Sequence, residues 1–218
     1  MQRKTPFVKG EHYHLYNRGV DKRTIFSFLS DYKRFLMLLY LANSSEDVRI
    51  DNVLKTHSFE EVFVRERAEP LIAIGAFCLM PNHFHILATP LTENGLTKFM
   101  LKLQTGYSMY FNTRNERTGS LFQGPFKSEH AENDRYLKYL FSYIHLNPAK
   151  LKDARWKDKI GMKPSSLRSF VEAYPYSSLK EYLTDSHTIT TPGAFPDYFS
   201  SKTELTKHLT DWLEPTGL

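Results

Sequence analysis

His83 and His85 are separated by one residue in the segment Met80-Pro81-Asn82-His83-Phe84-His85. Positions i and i+2 of a strand project from one face, so both imidazoles would point together while Phe84 enters a core. Two imidazoles on one face can chelate a divalent cation. Surface or hydrogen-bonded histidines have the same spacing, so the pair alone leaves both readings open. A second constellation is Tyr143-Ile144-His145-Leu146-Asn147-Pro148. Tyr143 and Asn147 are four apart and would share one helix face, presenting a phenol beside an amide. A half-buried packing tyrosine and a helix-capping asparagine fit that spacing too. His12, His14, His57, His130, His145, His187 and His208 read as non-ligands, and Cys78, in an apolar run, as an inert core residue.

These side chains need elements to hold them. Residues 12–17, HYHLYN, alternate as a first strand, closed by a turn at Arg18-Gly19. A helix with Ser30 or Asp31 as its N-cap follows, burying Phe35, Leu36, Leu38 and Leu39. Residues 43–69 are polar with small apolar islands and read as an insertion between core elements. Leu71–Leu79 is a buried strand, Pro81-Asn82 a turn and His83–Ala88 the returning strand. After Asn94-Gly95, Leu96, Phe99, Met100, Leu103 and Tyr107 mark an amphipathic helix. Residues 117–125 are a loop, and Phe126–Glu132 a fourth strand. Asp134 caps a last helix, which Pro148 stops. The order βαββαβ plus one helix predicts an α+β, ferredoxin-like core: a central antiparallel or mixed sheet with helices on one face, and an extra C-terminal helix carrying Tyr143. Residues 164–218 have the composition of a peripheral tail. The expected division is a domain at 1–183 and a tail at 184–218.

Composition sets the class. The 218 residues carry one cysteine, which excludes an internal disulfide framework and multi-cysteine zinc sites. No apolar run approaches the ~20 residues of a membrane span, and the start lacks the apolar stretch of a secretory signal. A cytoplasmic protein without a membrane partner is expected. Net charge is +5, and the excess is local: residues 107–170 hold 12 Lys/Arg against 6 Asp/Glu, while 171–218 hold 3 against 7. The basic segment also carries nine Phe and Tyr residues between Tyr107 and Tyr143. Such interleaving suits a phosphate-lined groove with stacking platforms, or a solvated basic face over an aromatic core.

Five ordered motifs carry a resemblance: HYHLYNRG at 12–19, LMPNHFHIL at 79–87, GSLFQGPFK at 119–127, YIHLNPAK at 143–150 and YPYSSL at 174–179. Over roughly residues 7–183 the chain resembles the REP-associated tyrosine transposases, in the single-tyrosine HUH branch of IS200-like transposases. The resemblance implies that His83 and His85 bind Mg²⁺ or Mn²⁺, that Tyr143 is the nucleophile and that Asn147 completes the metal shell. By motif position, Arg18, Arg114, Arg117, Lys127 and Lys150 are candidate phosphate contacts, and Asn17 and Gln123 candidate readers of bases or sugar edges. The implied partner is single-stranded or hairpin DNA of repetitive extragenic palindromes, bound by a monomer in preference to a dimer, which is the alternative. Two departures from the family are the long 43–69 stretch and Ala149-Lys150, where Val-Arg is more usual after Asn-Pro.

The residue types suit that reaction. A phosphodiester is anionic, so a nucleophile needs charge neutralisation and in-line placement. Attack by tyrosine gives a 5′-phosphotyrosine and a free 3′-OH, and a DNA 3′-OH can reverse the step onto another strand without ATP. The alternative is a domesticated protein that holds structured nucleic acid without cutting it. A hydrolase of small phosphoesters would want carboxylates near the histidines, and LMPNHFHILATP has none.

Overall fold

The computed structural model describes residues 6–158, 163–199 and 201–213. Strand β1 (Tyr13–Arg18) leads to helix α1 (Leu29–Leu41) and two short helices, α2 (Ile50–Val53) and α3 (Phe59–Val62). A hairpin of β2 (Ile72–Met80) and β3 (His83–Pro90) follows, then α4 (Gly95–Arg114), β4 (Lys127–His130) and α5 (Asp134–Leu146). The chain continues through α6 (Ala149–Lys152), α7 (Pro164–Ala173), α8 (Leu179–Thr184) and α9 (Lys202–Leu213). The sheet order is β2-β3-β1-β4, with every pair antiparallel. That order, with the βαββαβ succession, is the ferredoxin-like α+β arrangement expected.

Helices cover both faces of the sheet, where one covered face was expected. The cause lies in β2, which is apolar and buried at every position, so each of its faces needs cover. Leu15, Ile74, Phe77, Leu79, Phe84 and Ile86 pack with Phe35, Leu39, Phe99 and Leu103 of α1 and α4. On the other face Ala73, Ala76, Cys78, Met80 and Leu87 lie under Leu137, Leu140, Phe141 and Ile144 of α5. A bulge between Ile74 and Ala76 resets the alternation midway along β2.

Local signals correct three expected boundaries. Asp31 is not the cap of α1 but its third residue, and its carboxylate accepts from the Ser27 and Phe28 N–H groups at 2.8 and 2.9 Å. Helix α5 is capped by Asn133, whose Oδ1 accepts from Tyr136 N–H at 2.8 Å, so Asp134 is its first residue. Strand β4 spans four residues, shorter than 126–132, because only 127–130 find partners on β1.

Within 43–69, Ile50, Val53 and Val62 join the core beside α1, and buried Asn43 accepts from Leu71 and Ile72 N–H. Residues 164–183, peripheral by composition, are instead tied to β2. Tyr174 donates to Leu79 O at 2.6 Å, and Ser178 Oγ accepts from Phe77 N–H at 2.8 Å. Helix α9 buries Leu205, Leu209 and Leu213 against Leu167 and Val171 of α7. Among the described residues, no helix is long and apolar enough to cross a membrane.

Candidate active site

The turn that launches β3 is clamped from outside. Pro81 O accepts from Ile25 and Phe26 N–H at 2.8 and 3.0 Å, and Asn82 O accepts from Gly19 N–H at 2.9 Å. A Cβ on Gly19 would sit 2.5 Å from Arg23 O, so the close approach requires glycine. From this fixed turn, His83 and His85 emerge on the α5 face, while Phe84 is fully buried on the other. The rings of His83 and His85 are 5.0 Å apart and nearly perpendicular.

Each histidine is held by one nitrogen. His83 Nδ1 lies 2.6 Å from Asn82 Oδ1, and His85 Nδ1 lies 2.8 Å from His14 Nε2. His85 Nε2 is buried and has no hydrogen-bond partner among the described residues. Burial lowers His83 to about 4 and His85 well below 6.5, with Lys150 pushing both the same way. Both imidazoles are therefore neutral near pH 7, the state that ligates metal.

Tyr143 comes from α5, directly over this face. Its ring centre is 5.6 Å from that of His85 and 6.0 Å from that of His14, edge-on to both. Burial raises its phenol above the ordinary value, with Tyr139 adding to the shift and a hydrogen bond from Asn147 opposing it. Asn147 is fully buried at the helix end, where its Nδ2 donates to Tyr143 O at 2.9 Å. Its Oδ1 accepts from Lys150 Nζ at 3.0 Å, and that ammonium lies 5.4 Å from the Tyr143 ring centre. Among the described residues, no group of three or more His, Cys, Asp or Glu could hold a metal. The paired imidazoles with an orphaned buried nitrogen suit a cation whose remaining donors are amide, water or phosphate oxygens. The Asn147 oxygen stands beside them but is engaged by Lys150.

The structure thus brings together His83, His85, Tyr143, Asn147 and Lys150. Arg18, paired with His83 across β1 and β3, stands at the edge of the same face and donates to Gln123. Lys127 is exposed on β4, opposite Tyr16. The other three candidates lie elsewhere. Asn17 is 4% exposed on the far side of the sheet, donating to Gln104 Oε1 and Gly124 O. Arg114 pairs with buried Asp31 and packs over Phe28, while Arg117 donates to Asn112.

Sequence reasoning missed the group behind His85. His14 meets His85 edge to edge through its Nε2, and its Nδ1 lies 3.8 Å from Glu129 of β4. Glu129 accepts from Tyr16 and Tyr136 hydroxyls at 2.8 and 3.0 Å. Burial pulls the Glu129 carboxyl up, but those hydrogen bonds and His14 outweigh it and the net shift is downward. If His85 Nε2 is to face a cation, its Nδ1 carries the proton and donates to His14, whose own proton then faces Glu129. The signal was present in HYHLY, where His14 and Tyr16 alternate onto one face, but only strand pairing puts Tyr16 opposite His85.

Comparison with known proteins bears on the fold and the family. A solved structure described as a REP-associated tyrosine transposase bound to a REP hairpin is similar over 92% of this chain and 92% of its own. Its TM-score is 0.51 and the sequence identity 12%, a likeness of fold. No curated protein matches. The family model described as Transposase IS200 like matches residues 40–147, which run from the end of α1 through the paired histidines to Tyr143 and Asn147. The chain belongs to the IS200-like transposase family.

Proposed function

We propose that this protein cleaves single-stranded DNA and transfers the cut strand, with Tyr143 as nucleophile. The observation that carries the reading is the placement of the Tyr143 ring 5.6 Å from His85, between a rigid helix and a clamped strand. Membership of a transposase family supports it. Likeness to a structure bound to a REP hairpin supports a palindromic hairpin as the DNA recognised. The proposed catalytic side chains meet within one chain, so the site would be complete without a second copy.

Tyr143 Oη forms a bond to phosphorus as the P–O3′ bond breaks. The phenolic proton passes through water to the departing oxygen, leaving a 3′-OH and a 5′-phosphotyrosine. Burial resists loss of that proton, while the Asn147 amide and the Lys150 ammonium over the ring favour the phenolate. Lys150 and Arg18 would hold the phosphate charge from two sides of the histidine pair. Mg²⁺ or Mn²⁺ on His83 and His85, with Asn147 as a further donor once Lys150 turns to phosphate, would supply charge neutralisation at the non-bridging oxygens. Because the phosphotyrosine keeps the ester linkage, another DNA 3′-OH can displace Tyr143 and complete transfer.

The test is covalent capture on a denaturing gel. Labelled hairpin DNA with Mg²⁺ or Mn²⁺ should give a protease-sensitive shifted band, absent in Tyr143→Phe or with chelator. Tight hairpin binding with no covalent band would favour the non-cleaving nucleic-acid-binding reading.

A further inference from the structure

Tyr143 does not stand alone on its helix. Tyr136, Tyr139 and Tyr143 follow one another at spacings of three and four, the spacing of one helix face. Their rings form a near-parallel ladder: Tyr143 to Tyr139 is 5.7 Å at 20°, and Tyr139 to Tyr136 is 5.9 Å at 14°. The Tyr136 hydroxyl is fixed by Glu129, so the far end of the ladder is tied to β4. Beside it lies a pocket of about 930 Å³ between β4, the first turns of α5 and helix α9. Tyr136, Tyr139 and Trp212 form its aromatic walls, and Arg135, Glu132 and Asn133 are among its polar lining.

Trp212 approaches Tyr139 to 5.3 Å between ring centres, yet remains 37% exposed. It is not what anchors α9, because Leu205, Leu209 and Leu213 already bury the apolar face of that helix. A large indole left part-open beside a tyrosine suits a flat partner that stacks. The volume falls within the ~300–1,000 Å³ of small-ligand sites and admits a nucleotide. Glu129 and Glu132 on the lining oppose a buried phosphate, and Glu132 with the Asn133 amide suits the hydrogen-bonding edge of a base, whereas Arg135 and Lys138 suit the backbone.

We propose that this pocket is a stacking site for one unpaired nucleobase of the strand cut by Tyr143, next to the scissile phosphate. The ladder supplies the register: a base stacked on the open face of Trp212, beside Tyr139, lies near the Tyr143 side chain. Seating that base holds the phosphate in line with the phenol, so Tyr139 and Trp212 are positioning residues and the appended helix α9 becomes part of the DNA site. This inference rests on the proposed strand cleavage by Tyr143.

The experiment uses the full chain carrying Tyr143→Phe, which binds without cutting, and hairpin oligonucleotides with single-stranded flanks. 2-Aminopurine is placed at the flanking nucleotides one at a time. Its fluorescence should be quenched at one position on binding. Trp212→Ala should abolish that quench and weaken binding of the flanked hairpin by about tenfold, the scale of one stacked base. Trp212→Phe should restore most of both, and a hairpin without flanks should bind all variants equally. Equal loss for flanked and unflanked hairpins would overturn the pocket assignment, as would quenching unchanged by Trp212→Ala. Covalent capture with native Tyr143 is run in parallel, so that absence of any adduct speaks against strand cleavage and not against the pocket.

Discussion

His14 and His85 meet edge to edge on neighbouring strands, their buried rings near-parallel and Nε2 of one 2.8 Å from Nδ1 of the other. That contact fixes which nitrogen of His85 faces Tyr143. Replacing His14 with Leu should therefore lower Mn²⁺ affinity and strand cleavage by roughly 10- to 100-fold, the usual effect of losing a partner behind a ligating histidine. His14→Gln, which retains a hydrogen-bonding group, should recover part of both. Calorimetric titration with Mn²⁺ reads the effect without DNA, and unchanged affinity in His14→Leu would remove His14 from the site.

Arg114 and Lys150 should separate cleanly in DNA binding. Arg114 already has Asp31 as its partner at the α1–α4 contact, whereas Lys150 lies over Tyr143. Lys150→Gln should reduce the salt dependence of hairpin binding by about one unit of slope. Arg114→Gln should leave that slope unchanged and lower thermal stability instead. The reverse pattern, measured by fluorescence anisotropy across a salt series, would exchange their roles.

Asp31 is 1% exposed and accepts hydrogen bonds from two backbone N–H groups, Tyr110 and Arg114. Asp31→Ala removes the start of α1 and the inner member of the ion pair together. The expected loss is about 3 kcal/mol of unfolding free energy, read from urea denaturation. A change below about 1 kcal/mol would mean that the α1–α4 contact does not depend on it.

Much of this site was legible before any fold was known. The apolar β2 run and the His83-x-His85 spacing place two imidazoles on one side of a strand, and period four joins Tyr143 to Asn147. What failed was the choice among side chains near a motif. Asn17 and Arg18 are neighbours, but strand alternation sends Arg18 toward the histidine face and Asn17 to Gln104 on the other. Both faces of the sheet are covered, so polarity alone could not say which one carries chemistry. Arg114 and Arg117 sit in the basic segment, yet each finds a local partner, Asp31 in one case and Asn112 in the other, and long-range pairing is invisible in spacing. The place of His14 behind His85 was hidden for the same reason, since it arises only across strands.

His145 should make the fold acid-sensitive. It is fully buried against Ser178, and desolvation lowers its pKa from 6.5 to about 3. A depressed folded-state value means that the unfolded chain binds the proton first. This contribution to stability is complete above pH 6.5 and is lost as pH falls toward about 3. Urea midpoints measured from pH 7 to pH 4 should fall, and less steeply in His145→Gln. Equal slopes in the two proteins would mean that other groups govern the acid response.

If one chain holds a whole site, two defective chains cannot repair each other. Mixtures of His83→Ala and Tyr143→Phe should remain as inactive in covalent capture as either alone. Recovery of activity on mixing would point to a dimer that exchanges α5 between protomers.

The most direct measurement is the identity of the residue joined to DNA. Hairpin DNA is incubated with protein and Mn²⁺, the complex is denatured and digested with nuclease and protease, and peptides are sequenced by mass spectrometry. The expected result is a nucleotide 5′-phosphate on Tyr143, with none on Tyr136 or Tyr139, its neighbours in the ladder. An adduct on another tyrosine, or cleaved DNA with no protein-linked nucleotide, would contradict the assignment of Tyr143 as nucleophile.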